Sequence, residues 1–426
     1  MAIVLGALGA INSWDLPTYM VVALGALLAG AARWGRIGWP LAWLALALGA
    51  ASVLLYLPFY LGPKPQVQGL GLVGGIGTSP VHFFIVWGPF LFAIGCFLLI
   101  RLVGTVRAAR IRLRWVPLSL GAALVPLVLW ALGQAAVQRI LGQNGITGAI
   151  VAGKGLSVVP LVLAVALLLF LLASGVRRHS YEQTFVLLLA LVGFSLTLGT
   201  ELFFLRDSFG NRMNSMFKFY YQVWVLFAIS SAYGIYWVAA KTQSAKGGRW
   251  LRGLWGVGLV AFLVAVLAYP VAASYSRADM FLGKPSLDGL AFVKGLDPAE
   301  YDAIEWLNKN VDGSPVIIEA PGDSYSDYGR VSSRTGLPTV VQWPGHEIQW
   351  RGPVKELGER QQDVQQIYTS PDTSLVQRLL DKYGAKYVYV GRLEQARYGE
   401  AARTKFAPIM DVVFQNQGVT IYKVRS

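Results

Sequence analysis

Two short segments in the first half of the chain combine side chains that could transfer a proton with side chains that could bind a phosphate. The first is 12–19, NSWDLPTY, which contains Asp15. The second segment, 201–224, contains a group of ionisable and amide residues in one loop and at its two helix ends: Glu201, Arg206, Asp207, Asn211, Arg212, Asn214 and Lys218. Carboxylates act as general bases, and guanidinium and ammonium groups bind phosphate oxygens. We therefore predict Asp15 or Asp207 as a catalytic base. The predicted phosphate ligands are Arg206, Arg212 and Lys218.

Both segments also have a purely structural interpretation. Asp15 could cap the helix that follows it, as acidic residues often do. Arg206 could pair with Asp207, while Lys218 extends its ammonium group to the membrane surface. The aromatic neighbours would then form an interfacial belt. The sequence alone leaves both interpretations open.

A third segment, 319–352, mixes aromatic, acidic and basic residues in loops that follow predicted strands. Such a mixture suits a sugar or another polar ligand, and histidine titrates near neutral pH. The predicted acceptor-binding residues are Tyr325, Trp343, His346, Glu347, Trp350 and Arg351. The alternative is that this segment packs against the membrane half of the chain.

Two further patterns carry little weight. The run GLGLVG at 69–74 matches a dinucleotide-binding fingerprint, but no strand precedes it, and we predict a flexible loop. His82 and His179 have no partner at metal-ligand spacing. No local motif indicates a metal, so the cofactor is left open, including a divalent metal bound by residues distant in sequence.

The distribution of charge identifies the class of protein. The chain has 426 residues, is 55% hydrophobic and carries a net charge of +14. Only four of its 23 acidic residues precede residue 274, whereas its 37 basic residues divide into 19 before that point and 18 after it. The positive charge therefore belongs to loops between apolar segments. No basic surface typical of a nucleic-acid partner is indicated.

Apolar segments long enough to cross a bilayer fill the first part of the chain. The predicted spans are 18–33, 40–61, 81–103, 115–134, 156–175, 184–204, 217–240 and 251–273. The predicted fold is thus an α-helical polytopic membrane bundle of about eight spans (1–273), followed by a soluble α/β domain (274–426).

The basic residues between the spans predict the orientation. Thirteen lie in one set of alternate loops and six in the other. Because cytoplasmic loops are richer in Lys and Arg, the set of thirteen should be cytoplasmic. We therefore expect a multi-pass protein of the cell membrane with an extracytoplasmic C-terminal domain.

Within the C-terminal domain, apolar periodicity predicts a mixture of helices and strands. Helices are predicted at 298–310, 351–368 and 373–383. Strands are predicted at 315–320, 338–342, 386–391 and 418–424. Their alternation indicates a small α/β domain.

Four stretches of the sequence resemble the YYY-type (Chlor_Arch_YYY) membrane proteins. They are NSWDLPTY, ELFFLRDSFGNRMNSMFKFYYQVW, GDSYSDYGRVSSRTGLPTVVQWPGHEIQWRG and DVQQIYTSPD…YVYVGRLE…YGE. The resemblance implies an architecture similar to that of GT-C glycosyltransferases, with many spans and an outer α/β domain. No YYYxG motif occurs here, so we expect this chain to correspond to the C-terminal portion of such proteins.

The resemblance and the residues together suggest a transferase. We expect it to move a sugar from a polyprenyl-phosphate donor in the membrane lipid to an acceptor on the outer face. One alternative is a transporter or flippase for a lipid-linked solute. Another is a non-catalytic subunit of a split transferase, in which a second membrane subunit supplies further N-terminal spans.

Overall fold

A computed structural model describes residues 1–62, 67, 69–75, 77–107, 114–142, 146–176, 178–207, 209–243, 248–283, 285–351 and 355–425. The chain divides into two compact units, Met1–Met280 and Phe281–Ser426. Each unit has its own hydrophobic core.

The described part of the first unit is built of helices and two short strands. The helices are α1 (Ala2–Ile11), α2 (Asp15–Trp34), α3 (Trp39–Leu54), α4 (Leu57–Leu61), α5 (Pro80–Arg107), α6 (Trp115–Ile140), α7 (Ile146–Gly153), α8 (Gly155–Gly175), α9 (Tyr181–Leu202), α10 (Met213–Gln243) and α11 (Gly248–Arg277). The strands are β1 (Leu70–Leu72) and β2 (Phe203–Leu205). Helix α11 continues past residue 273, where the sequence predicted the end of the membrane part.

Seven of the described helices, α2, α5, α6 and α8 to α11, are long and apolar enough to cross a membrane. The chain is therefore a multi-pass membrane protein. Seven of the eight predicted spans correspond to these helices. The second predicted span, 40–61, is wrong as a single helix: α3 has 16 residues and ends at Leu54, and a separate short helix begins at Leu57 with Pro58 in its first turn. Proline is favoured at a helix start because it lacks the N–H that would be unpaired there.

Helix α9 is the centre of the membrane unit. It is the most buried of the seven spanning helices, whereas the apolar window of α11 has no buried residue. Gly193 on α9 lets α10 approach, since a Cβ there would lie 2.5 Å from the Phe227 ring. Ser180 caps the first turn of α9 by accepting a hydrogen bond from the Gln183 amide over 3.2 Å. Because its packing holds α9 in place, the position of Glu201 in the last turn of this helix is also fixed.

The second unit is a small α/β fold. Its described helices are α12 (Ala291–Leu296), α13 (Pro298–Asn310), α14 (Arg330–Thr335), α15 (Pro344–Arg351), α16 (Lys355–Thr369), α17 (Thr373–Tyr383), α18 (Arg392–Tyr398) and α19 (Ala402–Lys405). Its strands are β3 (Val316–Ile318), β4 (Ala385–Val390), β5 (Met410–Gln415) and β6 (Thr420–Val424).

The strands form a mixed sheet in the order β3-β4-β6-β5. Strand β3 is parallel to β4, with Ile318 opposite Val388, and the other two pairings are antiparallel. Alternate strand residues point to opposite faces. Ile317 and Tyr389 pack with residues of α13, whereas Ile318 and Val388 pack with α16 and α17. Both faces of the sheet are therefore covered by helices.

Most of the elements predicted for this unit are confirmed. Helix α13 has the predicted bounds, and β3, β4, β6, α16 and α17 lie at their predicted places. The strand predicted at 338–342 is wrong, because these residues have no regular secondary structure. Strand β5 and the helices α12, α14, α15, α18 and α19 were not predicted.

Candidate functional site

A buried carboxylate, Glu201, is the centre of a polar cluster at one end of the membrane helices. Its side chain is 1% exposed. The backbone N–H of Thr78 donates to Glu201 Oε2 over 2.9 Å, and the Thr78 hydroxyl donates to Oε1. Arg212 Nη1 forms an ion pair with Oε1 at 2.7 Å. A buried carboxylate needs such partners, because an unpaired buried charge is strongly unfavourable.

Lys154 adds a second buried cation to this cluster. It precedes α8, is 1% exposed and donates from Nζ to the backbone carbonyl of Glu201 over 3.0 Å. Burial lowers the pKa of Lys154. Steric exclusion favours glycine at the neighbouring Gly77, because a Cβ there would lie 1.9 Å from Ser157 Oγ and 2.7 Å from Glu201 Oε2.

The strand pair β1–β2 holds the segment before Thr78 against the end of α9. Leu70 pairs with Leu205 and Leu72 with Phe203. The carbonyl of the next residue, Val73, accepts hydrogen bonds from Trp130 Nε1 and Gln134 Nε2 of α6. The prediction of a flexible loop at 69–74 is therefore wrong, since residues 70–72 form a paired strand.

Asp15 is anchored to α10. Asn12 Nδ2 and Gln222 Nε2 donate to its Oδ1 over 2.9 and 2.8 Å, and Gln222 also donates to the Trp14 carbonyl over 3.1 Å. Among the described residues no hydrogen bond reaches Oδ2 of Asp15. That oxygen can accept a proton from a substrate without breaking an existing contact.

Asp207 has both carboxylate oxygens engaged. Its Oδ1 accepts the Phe209 amide over 3.0 Å, and its Oδ2 accepts Asn214 Nδ2 over 2.5 Å. This carboxylate therefore shapes its own loop and joins it to α10. No ion pair between Arg206 and Asp207 occurs in the part of the chain that the structure describes.

The three predicted phosphate ligands have different surroundings. Arg212 is paired with Glu201, and its Nη2 donates to the Thr78 hydroxyl over 3.1 Å. Lys218 lies with Nζ 6.0 Å from the centroid of the Trp14 ring, within range of a cation–π contact. Arg206 is exposed, and its side chain forms no hydrogen bond or ion pair with any described residue. Arg206 is thus the most available cation of the three.

The start of α10 brings these groups together. Arg212 lies directly before the helix. The residues that follow it contact β2, the loop that contains Asp207, and the start of α2. The residues concerned are Arg212, Asn214, Ser215, Lys218 and Gln222. Thr78, Lys154 and Gln134 were missed from the sequence. An isolated lysine directly before a long apolar run was the one signal that could have pointed to Lys154.

An apolar cleft of about 480 Å³ opens beside the Glu201 cluster and runs between α5 and α8. Thr78 and Ser157 line its polar end, and the lining otherwise consists of apolar side chains, prolines and a glycine among the described residues. The α5 wall extends from Pro80 to Leu102, which is about 33 Å at 1.5 Å per residue. The cleft therefore runs along most of the length of α5 and ends at a polar group.

In the second unit, three of the predicted acceptor-binding residues form one aromatic cluster. The ring of Tyr325 lies 5.6 Å from that of Trp343 and 5.5 Å from that of His346, and the last two are 5.7 Å apart. Tyr325 is 74% exposed and has a φ of 61°, an unusual value for a residue other than glycine. Trp343 Nε1 donates to the Tyr328 carbonyl over 2.5 Å. These rings present an accessible aromatic surface.

The other predicted acceptor-binding residues belong to α15 and its surroundings. Glu347 lies on this helix and lines a cavity of about 290 Å³ with Ser332 and Arg360. The side chains of Trp350 and Arg351 lie outside the described part of the structure. Of the six predicted residues, four have side chains that the structure describes, and three of these, Tyr325, Trp343 and His346, are in contact.

A buried charged network lies at the ends of the parallel strands of this unit. Arg330 pairs with Glu300 at 2.5 Å and with Glu394 at 3.0 Å, and all three are nearly inaccessible. Glu319 accepts the amides of Val331 and Ser332 at the start of α14. Burial raises the pKa of Glu319, against the opposing effect of these donors. The network fixes the backbone from which the Tyr325 loop extends.

No group of three or more potential metal ligands occurs among the described residues. The cluster around Glu201 contains one carboxylate and two cations, a set that suits an anionic ligand better than a metal ion.

Comparison with family models gives one match. The model of a family described as "Uncharacterized membrane protein (DUF2298)" matches residues 1–227, more than half of the chain. The matched region includes Asp15, the Glu201 cluster and Gln222. The comparison with curated proteins finds no match.

Proposed function

Since the chain belongs to this family of uncharacterised membrane proteins, we propose that it is a GT-C-like transferase that moves a sugar from a polyprenyl phosphate to an acceptor hydroxyl. The observation that carries the proposal is the apolar cleft between α5 and α8, which ends beside Thr78, Ser157 and the Glu201 cluster. A lipid-linked donor needs an apolar channel for its chain and a polar site at the end of that channel. The cleft offers both.

Arg206 and Lys218 bind the donor phosphate in this proposal. Arg206 is exposed and unpaired among the described residues, and an arginine can bind two phosphate oxygens at once. Lys218 supplies a point charge beside Trp14. Arg212 has a different task, because Glu201 already neutralises it. It donates a hydrogen bond to the hydroxyl of Thr78, which lines the polar end of the cleft, and so orients this residue.

Asp15 is the general base. Its Oδ1 is held by Asn12 and Gln222, while its Oδ2 has no described partner. Asp207 is the weaker candidate, because both of its oxygens are engaged in its own loop. A base must be held in position and still offer an accessible oxygen. Of these two carboxylates, only Asp15 has an oxygen that accepts no hydrogen bond from a described residue.

The reaction follows from these roles. The acceptor hydroxyl attacks the anomeric carbon of the sugar, and its proton passes to Asp15 Oδ2. The bond between the anomeric carbon and the phosphate oxygen breaks, and the polyprenyl phosphate leaves with the electron pair. Arg206 and Lys218 stabilise the negative charge that develops on this oxygen.

The second unit recognises the acceptor in this proposal. Tyr325, Trp343 and His346 offer aromatic faces and a titratable ring, which suit a sugar or polar acceptor. Glu347, Trp350 and Arg351 are assigned to the same task. The excess of basic residues at the opposite ends of the helices favours an extracytoplasmic position for the Glu201 cluster and for this unit.

The test uses the full chain in lipid nanodiscs with undecaprenyl phosphate as the binding probe and undecaprenyl-phosphate mannose and glucose as donors. We expect Arg206→Ala to weaken binding of undecaprenyl phosphate by about 10- to 10²-fold, since a charged hydrogen bond contributes roughly 1.5–3 kcal/mol. Asp15→Asn should keep binding within about twofold and slow release of undecaprenyl phosphate from the donor by about 10² or more.

Matched controls are Arg139→Ala, an exposed arginine at the end of α6, and Asp312→Asn, an exposed carboxylate of the second unit. Neither should change binding or transfer. If the wild-type chain binds undecaprenyl phosphate no better than uncharged undecaprenol, the proposed phosphate site is wrong. If Asp15→Asn transfers at the wild-type rate, the assigned base is wrong.

One observation favours a second function, the movement of a lipid-linked solute across the membrane. The α5 wall of the cleft reaches Leu102, close to the other end of the helix. A path of this length could carry a lipid from one leaflet to the other. Proteoliposomes with a fluorescent undecaprenyl-phosphate sugar in one leaflet distinguish the two. Transbilayer movement without loss of the sugar would favour transport, and sugar release without movement favours the transferase.

A further inference from the structure

A second polar cavity lies at the opposite end of the membrane helices from the Glu201 cluster. It has a volume of about 340 Å³ and lies between α5, α10 and the connection from α8 to α9. Its lining residues are Ile100, Arg101, Gly104, Thr105, Ser174, Gly175, Arg178, His179, Trp237 and Lys241. The proposed transferase reaction uses none of them.

The charged side chains that line this cavity, among the described residues, are all positive. Arg101, Arg178 and Lys241 contribute three positive charges, and no carboxylate lines the cavity among the described residues. No ion pair is formed by any of these three cations with a described residue. Cations gathered in this way repel one another unless an anion lies between them.

Two buried polar atoms in the cavity wall have no described partner. They are Nε of Arg101 and Nδ1 of His179. The His179 side chain is buried, with 5% of its surface exposed, and its ring packs on Gly175, where a Cβ would lie 2.1 Å away. Buried donors are nearly always paired in folded proteins, by a protein group or by a bound molecule.

The position of His179 is fixed by its own backbone. Its N–H donates to the Gly175 carbonyl over 2.8 Å, and its carbonyl accepts Arg33 Nη1 over 2.5 Å. Burial, helped by the charges of Arg101 and Arg33, lowers the pKa of His179 to about 4. The neutral ring can therefore donate one N–H to an anion at neutral pH.

Trp237 forms the apolar part of the wall. The guanidinium of Arg101 lies 5.6 Å from the centroid of this ring, and the Lys241 ammonium lies 6.0 Å from it. These cation–π contacts hold both side chains at the cavity without consuming their hydrogen-bond donors. The cavity is also much larger than the roughly 30 Å³ that one water occupies in the liquid.

We propose that this cavity is a binding site for a phosphate-bearing anion, in which Arg101, Arg178, Lys241 and His179 converge on the phosphate group. Two kinds of molecule could supply this anion. One is an anionic phospholipid, whose headgroup would lie in the leaflet at this end of the helices, and the other is free phosphate in solution. The site is independent of the proposed transferase function, since it shares no residue with it.

The experiment compares the full chain with Arg101→Gln and Lys241→Gln. The control is Arg107→Gln, an exposed arginine six residues further along α5 that does not line the cavity. The first arm titrates phosphatidylglycerol into phosphatidylcholine nanodiscs and counts the phospholipids retained by native mass spectrometry. The second arm adds inorganic phosphate, with sodium chloride of equal ionic strength as reference, and measures the thermal unfolding midpoint.

Retention of phosphatidylglycerol that falls at least tenfold in both cavity variants, and less than twofold in the control, supports the phospholipid source. An increase in the unfolding midpoint with phosphate that both cavity variants lose supports the soluble source. Lys241 is exposed, so its substitution tests the site even if Arg101→Gln fails to fold. The proposal is overturned if the wild-type chain shows neither effect, or if Arg107→Gln changes binding as much as Lys241→Gln does.

Discussion

Gln222 of α10 donates a hydrogen bond to Asp15 Oδ1 over 2.8 Å, and so joins α10 to the start of α2 through two residues that lie 207 positions apart in the chain. The same amide donates to the Trp14 carbonyl. Gln222 is nearly inaccessible, with 3% of its surface exposed. The contact fixes the side chain that we assign as the general base, and it leaves the second carboxylate oxygen available.

Gln222→Leu should therefore impair transfer more than it impairs folding. We expect the transfer rate to fall about tenfold or more, because a catalytic group that is misplaced by about 1 Å loses up to 10²-fold in rate. Binding of undecaprenyl phosphate should stay within twofold. The loss of stability should be about 1 kcal/mol, since hydrogen bonds between membrane helices average about 0.6 kcal/mol. Transfer assays and SDS unfolding measure the two effects.

Thr242→Val is the matched control on the same helix. The Thr242 hydroxyl bonds only to carbonyls of α10 itself, at Val238 and Ala239. It should leave transfer unchanged. An equal loss of undecaprenyl phosphate binding and of transfer in Gln222→Leu would mean that Gln222 supports the donor site as a whole, and would contradict its role as a positioning residue for Asp15.

The apolar cleft gives a second prediction, which concerns lipid access. Ala164 of α8 lines the cleft, and Ala164→Trp should fill part of it. We expect binding of undecaprenyl phosphate to fall at least tenfold, because the lipid chain loses its contact with the wall. Leu163→Trp is the control: Leu163 is the adjacent residue, is 58% exposed and does not line the cleft.

Binding can be measured for both variants by native mass spectrometry in nanodiscs. Wild-type binding by Ala164→Trp, in a protein that unfolds at the wild-type temperature, would show that the lipid chain does not use this cleft. An equal loss in both variants would indicate a general disturbance of α8.

The long-range contacts explain which parts of this architecture could be predicted from sequence. Hydropathy predicted seven of the spans, because a membrane helix is specified by its own length and composition. It failed at 40–61, where the apolar run continues but the helix ends at Leu54 and a new one begins at Leu57, with Pro58 in its first turn. In the second unit the missed strand β5 contains Asp411 and Gln415, and it is held in place by its pairing with β6.

The candidate site was also predictable only in part, because many of its contacts join residues that are distant in sequence. Asp15 and the 201–218 residues stood out because ionisable groups are rare in a membrane protein. Their partners did not, because Thr78 and Lys154 meet Glu201 across 123 and 47 residues of sequence. An ordinary threonine gives no local sign of such a contact, and for Lys154 the only sign was its position directly before a long apolar run. The choice between Asp15 and Asp207 as the base likewise depended on the structure, because it rests on which of their carboxylate oxygens already accept a hydrogen bond.

A third prediction concerns the pH dependence of Lys405 in the second unit. Its ammonium donates to the Ile367 carbonyl, and burial lowers its pKa from 10.5 to about 8. Between about pH 8 and 10.5 the unfolded chain keeps a proton that the folded chain has released. The contribution of Lys405 to the free energy of unfolding should therefore rise with pH across this window. Lys405→Met should remove this rise.

Amine acylation followed by mass spectrometry gives a direct measurement. Lys405 should reach half of its maximal acylation rate near pH 8, because only the neutral amine reacts. Lys309 is the internal control, since its hydrogen bond to Glu305 raises its pKa above 10.5. Equal titration of the two lysines would contradict the prediction.

The fourth prediction separates ligand binding from packing at Tyr325. A left-handed backbone costs a residue with a side chain about 1–2 kcal/mol. The contacts of its ring with Trp343 and His346 contribute a similar amount, at about 0.5–1.5 kcal/mol for an aromatic pair. Tyr325→Gly removes both, so its free energy of unfolding should change by less than about 1 kcal/mol. Binding of an acceptor sugar should nevertheless be lost with the ring, whereas Tyr325→Phe should retain it.

Saturation-transfer NMR of the full chain in nanodiscs, with methyl mannoside and methyl glucoside as probes, measures this binding. A signal that is present for the wild type and for Tyr325→Phe, and absent for Tyr325→Gly, supports an acceptor surface. Because the ring contacts roughly offset the cost of the φ of 61°, a loss of binding without a loss of stability would assign the exposed ring to ligand binding. Destabilisation by Tyr325→Gly of more than about 2 kcal/mol would instead show that the ring serves the packing of its loop.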